Sequence, residues 1–159
     1  MPYVSDVHGS HYAKSQPSTK ALALLRAALS GPYPSDKTTN PPLNFNLEVV
    51  EAPPNPDQLR LIRSYRDPRS SVAAPTTMTF ISGHPASAGK TENIRSEEDI
   101  VDLGKDHPNA IKWPIVVDWN GGYATVGDLN GVQALLEVLR QKRDGEIKDE
   151  VDQPKGWFS

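Results

Sequence analysis

The chain has 159 residues, with 17 Lys and Arg against 20 Asp and Glu for a net charge of −3, and it contains no cysteine. That length is one domain's worth and needs no disulfide or metal staple to fold. The missing cysteines exclude disulfides, thiolate zinc sites, iron–sulfur clusters and a thiol nucleophile, and the mild acidity argues against a nucleic-acid surface.

Residues 1–17 are polar and mixed, with Tyr3, Val4 and Val7 the main apolar residues, so this segment reads as a weak first strand or as disordered. It has no apolar core for a secretory signal, and Lys14 as its one Lys or Arg makes a poor mitochondrial presequence. Over Ser18–Leu29, Leu22, Leu25 and Leu29 share one side, which predicts an amphipathic helix. Pro17 with Ser18 or Thr19 suits its start, and Gly31-Pro32 stops it. Leu43–Val50 alternates apolar and polar residues as a strand does. Asn55, Pro56 and Gln58 then form a capping-box pattern for a helix running to about Tyr65.

Between Ser70 and Lys90 the chain reads as loop, with Met78–Ile81 as a short strand. Ser96 opens a helix to about Asp106. Ile115–Trp119 reads as a strand, Asn120-Gly121-Gly122 as a hairpin turn and Tyr123–Val126 as the return strand. Asp128 or Asn130 caps a last helix whose Val132, Leu135, Leu136 and Leu139 share a face. Residues 144–159 are charged, with little apolar content, and are expected to fray. The expected domain therefore spans 18–143, a small α/β sheet with a C-terminal hairpin and helices on both faces. No run of apolar residues is long enough to span a membrane.

Trp113-Pro114 stands directly before the Ile115 strand. Proline cannot donate to a ladder, so it suits a strand's first residue; a cis X-Pro bond and an ordinary trans proline both fit there. The stretch from Pro114 through Val-Asp118-Trp119-Asn120-Gly121 to Gly127-Asp128, followed by a Leu-rich helix, resembles the last third of a thioredoxin-fold protein of the glutaredoxin type. Glu51–Leu59, ending a strand and starting a helix, is similar to the corresponding turn of glutaredoxin-like arsenate reductases. The combination resembles a fungal family of mitochondrial redox proteins with a thioredoxin fold, known as a domain of unknown function, and covers about Ser15 to Arg140.

The resemblance implies a cis-proline at Pro114, with the backbone of Trp113 pairing with glutathione or an extended thiol peptide and Gly127–Asp128 holding the ligand's charged ends. The physics of a helix N-terminus agrees with a carboxylate there, although Asp128 as a plain N-cap explains the same residue. A mitochondrial location also follows from the resemblance, with a cytoplasmic one as the alternative. The redox position of that fold falls on Ser15-Gln16-Pro17-Ser18, where hydroxyls stand at Cys–x–x–Cys spacing. Ser15 and Ser18 cannot carry thiol–disulfide exchange, so the chain is expected to be redox-inert, a binding or scaffold protein for glutathione, a thiol peptide or a protein partner. No cofactor is expected.

A second class of function rests on Gly89-Lys90-Thr91, the end of a phosphate loop, with Asp118 as a magnesium-supporting carboxylate. His84 stands where that loop requires glycine, which favours a solvated loop. His8 and His11 read as an uncommitted surface pair. There is no Gly-x-Ser-x-Gly, and no histidine is expected in a place to activate Ser15 or Ser18. A structural interaction module without a small ligand is the third reading.

Overall fold

At the centre of the sheet lies the strand that the sequence disguises most. The computed structural model describes residues 4–69, 71–82 and 94–147, and in it Ser5–Ser10 forms a regular six-residue strand, β1. The segment expected to be weak or disordered is weak only in apolar content. All of β1 but Asp6 is buried, yet Val7 is its one large apolar residue, and Ser5, His8, Gly9 and Ser10 fill the other positions. The apolar alternation that marks a half-buried strand is therefore missing.

Chain order continues with α1 (Gln16–Ser30), β2 (Phe45–Val50), α2 (Pro56–Arg63), a 3-10 turn at Thr77–Phe80, α3 (Glu97–Asp106), a second 3-10 turn at Pro108–Ala110, β3 (Ile115–Asp118), β4 (Tyr123–Val126) and α4 (Leu129–Arg143). The sheet order is β2-β1-β3-β4. β1 runs parallel to β2, with Val7 opposite Leu47, and antiparallel to β3, with Val7 opposite Asp118; β4 returns beside β3. The parallel pair needs a crossover, which α1 supplies.

Each face of the sheet carries its own core. On one, Ala21, Leu25 and Ala28 of α1 pack with Val132, Leu135, Leu136 and Leu139 of α4 over Val7, Phe45 and Val116. On the other, Leu59 and Ile62 of α2 and Ile100 and Leu103 of α3 pack with Phe80 over Ile115, Val117 and Ala124. Full burial of a Leu or Ile contributes about 1.5–3 kcal/mol, so these two layers hold the architecture.

Local chemistry sets the element ends. Ser15 caps α1, one turn earlier than the expected start, and Pro17 sits in the first turn. The Asn55 side chain accepts from the Gln58 amide at 2.7 Å, and the Gln58 side chain accepts from the Asn55 amide at 3.0 Å, the reciprocal bonds of a capping box. The hairpin turns because Asp118 Oδ1 accepts from the Asn120 and Gly121 amides and Gly122 takes φ +74°, a backbone region that glycine enters without cost. The expected strand at Met78–Ile81 is instead the 3-10 turn, followed by a single antiparallel bridge from Ile81 to Ile111. Phe80 is buried while Met78 is half-exposed, which satisfies the apolar residues without a ladder. The expected tail begins tied down, since Arg140 binds Asp144 and Glu146; residues 148–159 lie outside the described residues.

Charge locks α3 onto α2. Glu97, buried in the first turn of α3, pairs with Arg63, while Glu98 pairs with Arg60. The Arg63 hydrogen bond holds the Glu97 carboxyl below its usual range. A carboxyl depressed in the folded state stabilises fully above its unfolded value of about 4.3 and loses that contribution as the pH falls through the folded value. Glu97→Gln is therefore expected to cost roughly 1–3 kcal/mol at pH 7 and less at about pH 3, as protonation of wild-type Glu97 sets in. Urea unfolding at the two pH values measures this; an equal loss at both would show that the charge is not responsible.

Candidate functional site

Two cavities flank the Trp113–Pro114 peptide, which is cis. On one side lies an open cleft of about 260 Å³, bounded by Ser15, Gln16 and Pro17 at the start of α1 and by Lys112, Trp113 and Gly127 across from them. On the other side, a small crevice is lined by His11, Ser18 and Pro114. The structure thus brings Ser15, Ser18, Trp113, Pro114 and Gly127 to one place.

The peptide is held from both ends. The Gly127 amide donates to the Pro114 carbonyl at 2.7 Å, and Trp113 Nε1 donates to the Pro108 carbonyl at 2.8 Å. Tyr12 lies against the Trp113 ring, with centroids 5.5 Å apart. Lys112 donates its amide to Phe80 beside the Ile81–Ile111 bridge. In extended backbone, neighbouring residues turn their polar groups to opposite sides. Neither the N–H nor the C=O of Trp113 has a hydrogen-bond partner among the described residues. Unpaired strand-like backbone is what an added extended segment pairs with.

The two serines play different parts. Ser15 is the N-cap of α1, and its side chain accepts from the Ser18 amide at 3.4 Å. Ser18 is buried. Its Oγ accepts from the Tyr12 amide at 3.0 Å and lies 2.7 Å from His11 Nδ1. The hydroxyl thus bridges the Tyr12 amide and the His11 ring. A histidine does therefore stand on Ser18, contrary to the sequence reading. Ser18 is too buried to meet a substrate, and its bond fixes the His11 ring. The pairing across seven residues follows from the turn between β1 and α1, which no motif marks.

His8 also departs from the expected surface pair. It is buried in β1, with Nδ1 2.9 Å from Glu48 Oε1 and Nε2 3.4 Å from Ser10 Oγ. Among the described residues no three metal-ligating side chains cluster.

Asp128 is the N-cap of α4, accepting from the Asn130 amide at 2.8 Å. Its other oxygen accepts from Arg69 at 2.5 Å, and Arg69 is held in turn by Asp67 through two bonds of 2.9 Å. The Arg69 hydrogen bond pulls the Asp128 carboxyl below its usual value, while the bond to Asp67 leads in raising Arg69. The ammonium-binding role that the resemblance implies for Asp128 is thus occupied by the chain's own guanidinium, and the Gly127 amide is committed to Pro114. Sequence reasoning missed Arg69 and Lys112, whose neighbours Asp128 and Gly127 are distant in the chain, and read His11 as uncommitted because no motif marks its bond to Ser18.

Asp118, the expected magnesium carboxylate, accepts the hairpin amides. Lys90 and Thr91, with His84, lie outside the described residues.

The model of the family described as "Protein of unknown function (DUF1687)" matches residues 10–127. The chain belongs to this family. Among solved structures, the DUF1687 chain is similar to "Arsenate reductase from Vibrio cholerae", at 17% identity and a TM-score of 0.54 over 86% of this chain and 99% of that one. It is similar also to "Putative arsenate reductase from Yersinia pestis", at 18% identity and a TM-score of 0.52 over 83% of this chain and 99% of that one. Likeness at that identity shows the fold, which is thioredoxin-like. No curated protein matches the chain in sequence. Among the described residues no helix is long and apolar enough to cross a membrane.

Proposed function

We propose that this DUF1687 chain is a thiol-less binding protein on a thioredoxin-like fold, taking an extended peptide, glutathione included, in the cleft between Ser15 and Trp113. One observation carries the reading: the Trp113 amide and carbonyl are left without partners among the described residues, at the edge of a cleft that Ser15 faces. A hydroxyl at the head of α1 does not attack a disulfide, so binding is retained without exchange. A mitochondrial location belongs to the same proposal and rests on the family resemblance alone.

Titration calorimetry with reduced glutathione is expected to show weak saturable binding, with a Kd on the order of millimolar, about 4 kcal/mol. A glutathione-coupled disulfide reduction assay is expected to show no turnover above background. Absence of heat at tens of millimolar ligand would remove glutathione as an occupant, and measurable turnover would contradict the inert reading.

A further inference from the structure

We infer that the occupant of the cleft is an acidic peptide segment, selected by Lys112 and His11; this rests on the peptide-binding reading above and names its ligand class. The chain carries 20 acidic residues against 17 basic ones, yet among the described residues neither cavity flanking Trp113–Pro114 is lined by an Asp or Glu. The nearby carboxylate of Asp128 is taken by Arg69. The one Lys or Arg lining them is Lys112. The exposed Lys112 has no ion-pair partner among the described residues. Its stem lies along Gly127, where even a Cβ would come within 2.9 Å of Lys112 Cβ, so the ammonium extends from a fixed base. On the far side, the Ser18 hydroxyl and His11 Nδ1 share a hydrogen bond of 2.7 Å, which fixes the ring and leaves Nε2 as its other polar atom. That nitrogen has no hydrogen-bond partner among the described residues, and His11 is half-buried.

An extended segment crossing the Trp113–Pro114 peptide would meet Lys112 at one end and His11 at the other, with backbone pairing between them. A carboxylate accepts from the Lys112 ammonium and from an Nε2–H of His11, and charge-assisted bonds such as the first are the stronger ones. A basic segment would find no countercharge in either cavity.

The test uses two end-blocked octapeptides, one with glutamate at alternate positions and one with glutamine in their place, titrated into the full chain by fluorescence polarisation. The glutamate peptide is expected to bind roughly fivefold or more tightly, about 1 kcal/mol per charged contact. Lys112→Ala should abolish most of that preference and Lys112→Glu reverse it, and His11→Gln should reduce it. Lys112 is exposed, so its variants fold whatever His11→Gln does. Equal binding of both peptides, or an unchanged preference in Lys112→Glu, overturns the charge selection while leaving the groove. Binding of neither peptide overturns the groove reading itself, and this inference with it.

Discussion

Ser15→Cys is expected to create a reactive thiol in a chain that has none. Ser15 caps a 15-residue helix with no acidic side chain in its first turn, so the introduced sulfur would meet the positive end of the helix dipole without a countercharge. Lys112 lines the same cleft and favours a thiolate further. Pro17 removes one of the first-turn amides that would otherwise face the sulfur, so the shift is moderate. A thiol in this setting titrates below the ordinary value of about 8.5 and alkylates on the order of tenfold faster at pH 7 than an unperturbed one. The rate of iodoacetamide alkylation against pH reads the titration directly. An ordinary titration point would show that the head of α1 exerts no useful field on the cleft, and the functional reading of Ser15 would lose its basis.

Gly131→Ala is expected to be the most damaging glycine-to-alanine change among the described residues. A Cβ at Gly131 would lie 1.7 Å from Thr125 Oγ1 and 2.8 Å from Thr125 Cβ, and Thr125 is buried on β4. Either α4 lifts from the sheet, exposing Val132 and Leu135, or β4 is displaced. Overpacking of this severity costs on the order of 3 kcal/mol or more, a drop in Tm of roughly 10 °C for a domain of this size. Thr125→Val is expected to do the reverse. The buried hydroxyl has no hydrogen-bond partner among the described residues, and its replacement by a methyl of similar shape should stabilise by about 1 kcal/mol. Thermal unfolding of both variants checks the pair. A Gly131→Ala protein of wild-type stability would mean that α4 sits farther from the sheet, and a destabilised Thr125→Val would assign the hydroxyl a partner.

Legibility in the sequence followed the range of the interaction. The Asn55–Gln58 capping box, the Ser96 start of α3, the Asn120–Gly122 turn and the Asp128 cap all involve partners within a few residues, so their spacing displays them. β1 stayed obscure because its buried residues other than Val7 are small or polar, and its central place is set by β2 and β3, far along the chain. Met78–Ile81 misled because its apolar residues fit a strand, whereas one buried phenyl ring is enough to anchor a 3-10 turn. At the candidate site the serines and Trp113-Pro114 were visible through their family resemblance. Arg69 reaches Asp128 across 59 residues of sequence, and nothing local to either residue announces the contact.

The position of Ser5–Ser10 has a consequence for how the molecule is assembled. The central strand is synthesised before the three other strands of its sheet, yet Val7 must wait for Asp118 before its second flank is closed. Contacts of such high order slow folding, because the long intervening loop has to be drawn together before the pairing rewards it. Until then a nascent chain holds an unfinished ladder, and a cut within Ser5–Ser10 would split the sheet through its middle rather than trim its border.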